Sequence, residues 1–203
     1  AVSACAYRCR MATNIFSFIA PTVTGLVLVE IALCRILKKE FMTPQDSLIS
    51  YGTAMINQPV NLAVAFLVAL TYGWIWNNTE HPVIEFGFWS QIVLYTAIDF
   101  LFYWFHRLGH RTNFFWAAHG LHHTGEEMNL AIALRTSVTQ RLFSFLFYWP
   151  LLLIGFSPKM IYFATGIHLL LGYWHHTRFI GKLGTVFEYF FNSPSHHRVH
   201  HGI

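Results

Sequence analysis

The sequence predicts an all-α fold: an integral membrane helical bundle whose cytosolic face carries a histidine-rich site for two metal ions. Three observations predict it. The chain is 55% hydrophobic and 18% aromatic but only 11% charged, whereas soluble domains carry about 25% charged residues. Its apolar residues gather into stretches close to the roughly 20 residues that cross a bilayer. Of its 13 histidines, all except His81 lie between residues 106 and 201. Residues 1–203 are read as one membrane-embedded domain.

The stretches follow in order. The first, 15–37, comes after Met11, a plausible start. It is long and lacks a small-residue cleavage pattern, so it reads as an anchor rather than a signal peptide. Glu30 falls near its cytosolic end, where a long side chain can snorkel to water. The second covers 59–76 and leads into "NNTEHP", whose sequon at Asn77 lies too close to the membrane for glycosylation. The third is 83–105. The fourth and fifth, 138–156 and 158–174, meet at Ser157-Pro158 and read as a tight helical hairpin short of a full crossing. Alternating spans put Arg35, Lys38, Lys39, Arg107, Arg111, Arg135, Arg141, Arg178, Lys182 and Arg198 on one side and leave Arg8, Arg10 and Lys159 on the other. Because cytosolic loops are enriched in Lys and Arg, the richer side is cytosolic. The same alternation collects the histidines there. The chain does not begin with Met and stops two residues after a histidine cluster, which reads as a fragment truncated at its C-terminus.

Several classes drop out. A net charge of +4 without a basic stripe interleaved with aromatics argues against a nucleic-acid partner. Cys5, Cys9 and Cys34 are odd in number and have no CxxC spacing, so they suggest neither a disulfide framework nor a thiolate metal site.

The histidines fall into boxes. His106 and His110 form HxxxH at the end of the third stretch; His119, His122 and His123 form HxxHH; His197, His200 and His201 repeat it. On a helix, residues three and four apart share a face, so each box can present several imidazoles together. Packed without a cation, the rings would lose hydration and resist protonation, costs that a bound ion removes. Eight ligands exceed one coordination sphere, so two ions are the economical count. An all-imidazole set suits iron, zinc or copper. A site facing acyl chains meets unactivated C–H bonds, whose oxidation needs oxygen activated at a metal, and this favours a redox metal.

The segments "DFLFYWFHRLGH", "WAAHGLHHTGEEMNLAIALR", "YWHHT" and "NSPSHHRVHHG" resemble the fatty acid hydroxylase and sterol desaturase superfamily of membrane di-iron enzymes, and between the boxes they most resemble its alkylglycerol monooxygenase branch. The resemblance runs from about residue 14 to the end. It implies an endoplasmic-reticulum monooxygenase using two iron ions and O2, with the eight box histidines and His176 of "YWHHT" as ligands. In that branch the product is a fatty aldehyde and glycerol, released by cleavage of an ether bond. An external electron donor is implied, tetrahydrobiopterin in this branch and a b-type cytochrome in others. His81-Pro82 continues as Val-Ile, not as the His-Pro-Gly-Gly of a fused haem donor. His175 stands where the branch has an apolar residue and reads as packing or interfacial, His168 reads as a buried, hydrogen-bonded histidine in preference to one facing the site, and His196 adjoins the third box as a candidate partner of its ligands.

Asp99 lies inside an apolar stretch, where an acid is functional by default. With Tyr103 it lies on one helical stripe with His106 and His110, so it is expected to orient a ligand histidine; a structural partner of Arg107 or another cation is the alternative. Glu126 coincides with an acid of the alkylglycerol branch and is expected to relay protons or touch iron, whereas Glu127 reads as solvated. Trp104, Trp116, Tyr173 and Trp174 read as an interfacial belt. Two rivals remain: a sterol oxidase or fatty acyl hydroxylase of the same chemistry, and a membrane metal transporter. Transport calls for polar groups strung through several spans, yet Glu30, Glu85 and Asp99 are the main ones here.

Overall fold

The computed structural model describes the backbone of residues 2–202 and the side chains of residues 19–202. The expectations placed on Cys5, Arg8, Cys9, Arg10 and Met11 concern side chains outside that description. Among the described residues the secondary structure is entirely helical.

Helix α1 covers Val2–Ile36 and α2 covers Pro44–Asn78. The second apolar stretch was expected to open at Pro59, but α2 starts fifteen residues earlier and carries Pro59 inside it. The start is set at Thr43, whose hydroxyl accepts from the Asp46 amide at 3.1 Å, with Pro44 in the first turn. Polar residues interrupt the apolar run there without interrupting the helix. This Ser/Thr-Pro opening recurs: Ser157 caps α7 (Pro158–Tyr173) and Ser193 caps α9 (Pro194–His201). In each case a hydroxyl satisfies an orphan amide, and proline supplies a preset φ where no amide is needed.

Between them lie α3 (Phe88–Arg111), α4 (Asn113–His119), α5 (Val138–Tyr148), α6 (Pro150–Ile154) and, after α7, α8 (Thr185–Phe190). Tight 3-10 turns occupy Gly120–Thr124, Ile132–Leu134 and Trp174–His176. The expected hairpin is present, with Gly155 ending α6 at φ +112°. A side chain there would run into the Pro82 carbonyl, and the close approach lets the Ile84 amide donate to the Gly155 carbonyl at 3.0 Å.

The main core lies where α2, α3 and the hairpin meet: Val68 and Tyr72, Leu94 and Ile98, Leu152, Phe156 and Ile161 are all buried. A second cluster seats Val23 and Val27 of α1 against Leu130, Ala131 and Tyr173. Outside these seams the surface is greasy, with Ile56, Phe66, Trp74 and Phe100 each at least 60% exposed. Two helices, Ile19–Ile36 of α1 and all of α2, are long and apolar enough to cross a membrane. The other three expected spans are α3, whose 24 residues include Asp99 and two histidines, an apolar run of 17 residues over Val138–Ile154, and α7 with 16.

Candidate metal centre

The chain brings all nine expected histidines to one end of the bundle and sorts them into two groups. His106, His110, His119, His123 and His200 form one; His122, His176, His197 and His201 form the other. Within each group the donor nitrogens all lie within 4.8 Å of one another. Among the described residues no thiolate or carboxylate joins either group.

The sorting follows helix geometry, though not as the boxes suggest. Each i, i+4 pair stays together: His106 with His110, His119 with His123, His197 with His201. The residue at i+3 goes to the other group, His122 from the second box and His200 from the third. Adjacent residues on a helix point about 100° apart, so the doubled histidines 122/123 and 200/201 hand neighbouring rings to different sites. The expectation that HxxHH converges on one side is therefore corrected: each such box bridges both groups.

Ring contacts test whether a cation fits. Nε2 atoms meet at 2.8 Å between His106 and His200 and at 3.1 Å between His119 and His123. In the other group His176 Nε2 stands 3.1 Å from His122 Nε2 and 3.0 Å from His197 Nε2. Two nitrogens bound to one ion at about 2.1 Å and a right angle would stand about 3 Å apart. The tautomer agrees. His176 Nδ1 lies 3.2 Å from the Tyr173 carbonyl, which only accepts, so Nδ1 carries the proton and Nε2 offers a lone pair. One lone pair cannot satisfy two ring neighbours, and His201 Nε2 is buried with no hydrogen-bond partner among the described residues. A shared cation resolves both conflicts, so the residues fit a metal.

Burial keeps the donors neutral. His119 and His200 are held down to about 4 and His123 to about 3, first by loss of hydration and then by neighbouring imidazoles. His122, His176, His197 and His201 are pushed well down for the same reasons. Gly109 of α3 lies beneath the His119 ring, and a Cβ there would come within 3.3 Å of it. The missing side chain lets α4 close onto α3.

Other expected residues fall elsewhere. Asp99 meets no box histidine; its carboxylate lies 3.0 Å from His168 Nε2, which bears out the hydrogen-bonded reading of His168. Tyr103 turns outward and accepts from Arg107 at 2.7 Å. Glu126 is exposed and outside both groups. Glu127 pairs with Arg178. His196 is exposed, and the His175 ring lies 5.7 Å from that of His197.

The largest departure is Glu30. Instead of snorkelling it is 2% exposed and accepts from the Leu130 amide and the Thr177 hydroxyl, both at 2.6 Å. Arg135 was likewise passed over as a topology marker. It is buried and binds Asp46 at 2.7 Å, Ser50 at 3.3 Å and the Thr124 hydroxyl, next to His123, at 3.3 Å. A lone acid in an apolar stretch was the available signal for Glu30, the same one that singled out Asp99.

The profile of the family described as "Fatty acid hydroxylase" matches residues 91–203, more than half of the chain and every box. The chain belongs to the fatty acid hydroxylase family. Proteins named alkylglycerol monooxygenase are similar to it. That of Homo sapiens is 37% identical over 185 residues, 90% of this chain and 41% of its own length. That of Danio rerio is 36% identical over 185 residues, with the same coverage, and that of Xenopus tropicalis 34% over 180 residues, 87% of this chain and 40% of its own. The chain thus spans about two fifths of the length of these curated relatives. No solved structure matches it. The resemblance drawn from the boxes is borne out at the level of both family and branch.

Proposed function

We propose that this chain is the metal-holding, membrane-embedded domain of a di-iron lipid monooxygenase acting on alkylglycerols. The observation that carries the reading is the sorting of nine neutral imidazoles into two compact groups, in a chain whose relatives are named alkylglycerol monooxygenase. When bound, a pair of irons would supply the oxygen-activating redox chemistry that an unactivated C–H bond demands.

The chain's own residues do the rest. His106, His110, His119, His123 and His200 would hold one ion, and His122, His176, His197 and His201 the other. The boxes bridging both groups fix the spacing between them. Burial of His119, His122, His176 and His197 limits water at those donors, which would protect a reactive centre from side reactions. In the substrate, the ether oxygen donates into the adjacent carbon and makes that C–H bond the weakest accessible one. One oxygen atom enters it and the other leaves as water, with two electrons and two protons from an external donor, for which we propose tetrahydrobiopterin. The resulting hemiacetal collapses to a fatty aldehyde and glycerol.

The outward-facing apolar residues support insertion in a bilayer, with α1, α2, α3 and the hairpin as its membrane elements. The excess of basic residues beside the boxes supports a cytosolic face, in keeping with the endoplasmic reticulum. The test is purified protein in lipid discs, loaded with iron(II) and assayed with O2, a pterin reductant and a panel of alkylglycerol, sterol and fatty acyl lipids. Two irons per chain, and fatty aldehyde formed from the alkylglycerol with one O2 consumed per product, are expected. Uptake of fewer than two irons, or oxygen consumption with none of the lipids, overturns the reading.

A further inference from the structure

Glu30 is a carboxylate in the middle of an apolar helix, 2% exposed, with no cation among its described partners. Such a group is costly unless its oxygens are well satisfied. Both are, and by segments remote in sequence: Oε2 accepts from the amide of Leu130, 100 residues on, and Oε1 from the hydroxyl of Thr177, 147 residues on. Leu130 follows the second histidine box. Thr177 follows His176 directly.

Thr177 is a junction. Its hydroxyl donates to Glu30 and accepts from the Phe179 amide at 3.2 Å. Its carbonyl accepts from the Arg198 guanidinium at 3.1 Å, and Arg198 also reaches the Ile180 carbonyl at 2.9 Å. Arg198 stands on α9 between His197 and His201. One contact from α1 therefore steadies the turn carrying His176 and, through a single carbonyl, the helix carrying two more members of the four-histidine group and one, His200, of the five-histidine group. The five-histidine group takes four of its members from α3, α4 and the 120–124 turn, and that turn is tied instead through Thr124 and Arg135 to α2.

We infer that Glu30 is a positioning residue for the four-histidine site: it anchors Thr177 and so holds His176, with α9, in the geometry that binds one of the two ions. The inference rests on the two-ion reading. A carboxylate is needed because both of its partners are donors. Glutamine at 30 can still accept from the Leu130 amide, but it turns an N–H towards Thr177, whose hydroxyl then lacks its acceptor. Loss of an outer partner of a metal ligand weakens binding by about 10- to 100-fold.

The experiment titrates the metal-free protein in lipid discs with iron(II), and with cobalt(II) as a spectroscopic probe, for the unaltered chain, Glu30→Gln, Thr177→Val and Thr177→Ser. The expected result is two ions in the unaltered chain. In Glu30→Gln and Thr177→Val, one ion should bind about 10- to 100-fold more weakly while the other, which takes only His200 from α9, loses far less, with helical circular dichroism retained. Thr177→Ser keeps the hydroxyl and should restore both. Two ions of unaltered affinity in both variants, or equal weakening of both ions, overturns the inference and leaves the two-ion reading standing. Fewer than two ions in the unaltered chain overturns both. If Glu30→Gln fails to fold, the Thr177 pair decides, since valine matches threonine in shape and serine restores the donor.

Discussion

The two histidine groups are built on different principles. The five-histidine group takes three members from the long regular helix α3 and the short α4 that closes against it, with one each from the 120–124 turn and α9, and it stays partly open, with His110 exposed. The four-histidine group has three buried members out of four. Its rings come from two tight turns and α9, so it depends on hydrogen bonds that hold irregular backbone: His176 to the Tyr173 carbonyl, Thr177 to Glu30, Arg198 to Thr177. A site built on a helix inherits its geometry from the helix, whereas one built on turns needs an outer layer to supply it. The difference separates an open set of five donors from an enclosed set of four.

The sharpest way to break this contrast is His176→Ala. It leaves the enclosed group with three donors, two of them on α9, and one ion should be lost outright, with affinity down at least about 100-fold, beyond the range for outer partners. Metal content per chain measures it, and retention of two tight ions would mean that the groups are not separate sites.

Acid should act next. The buried imidazoles resist protonation in the folded chain, with His119 and His200 at about 4 and His123 at about 3, against an ordinary value of 6.5. Below 6.5 the unfolded chain takes up protons that the folded chain refuses, so the stability of metal-free protein falls as pH drops from about 6.5 towards about 4 and is regained above it. The melting midpoint of chelator-treated protein should therefore fall by several degrees from pH 7.5 to pH 5. A midpoint that does not change across that window contradicts the packing of neutral rings.

His110→Ala should have a smaller effect than His176→Ala, because the open group retains four donors; a loss of about tenfold in one ion's affinity is expected, at the low end for outer partners. Smallest is Gly109→Ala. The added methyl crowds the His119 ring at 3.3 Å, so the open group should weaken by less than about tenfold while the enclosed one keeps its ion. Titrations with cobalt(II) separate the two, and an effect on the enclosed ion alone would reverse the assignment of His119.

The histidines that gather into the two groups were legible in the sequence because a metal-binding box combines one residue type with helical spacing. Their division was not. Whether neighbouring histidines share an ion depends on where the backbone turns between them, and the 3-10 turn at Gly120–Thr124 leaves no mark in the periodicity of a five-residue box. The helices were legible as apolar runs, but α2 was cut short at Pro59 because its first four turns are polar enough to hide the continuation. Asp99 and Glu30 looked alike as lone acids in grease, and the roles expected of them do not match where they sit. The acid placed seven residues before a ligand pairs with His168, while the one treated as snorkelling reaches the neighbour of a ligand 147 residues away. Sequence distance says nothing about such contacts, which arise only when the bundle closes.

The bridging of both groups by the second and third boxes has a consequence for biogenesis. His200 completes the open group while His197 and His201 complete the enclosed one, so neither can close before α9 docks against the turns that carry the earlier ligands. In the two-ion reading, metal capture by either group waits on the docking of α9. A chain lacking α9 would present two incomplete sets of imidazoles, poorly able to hold a metal ion.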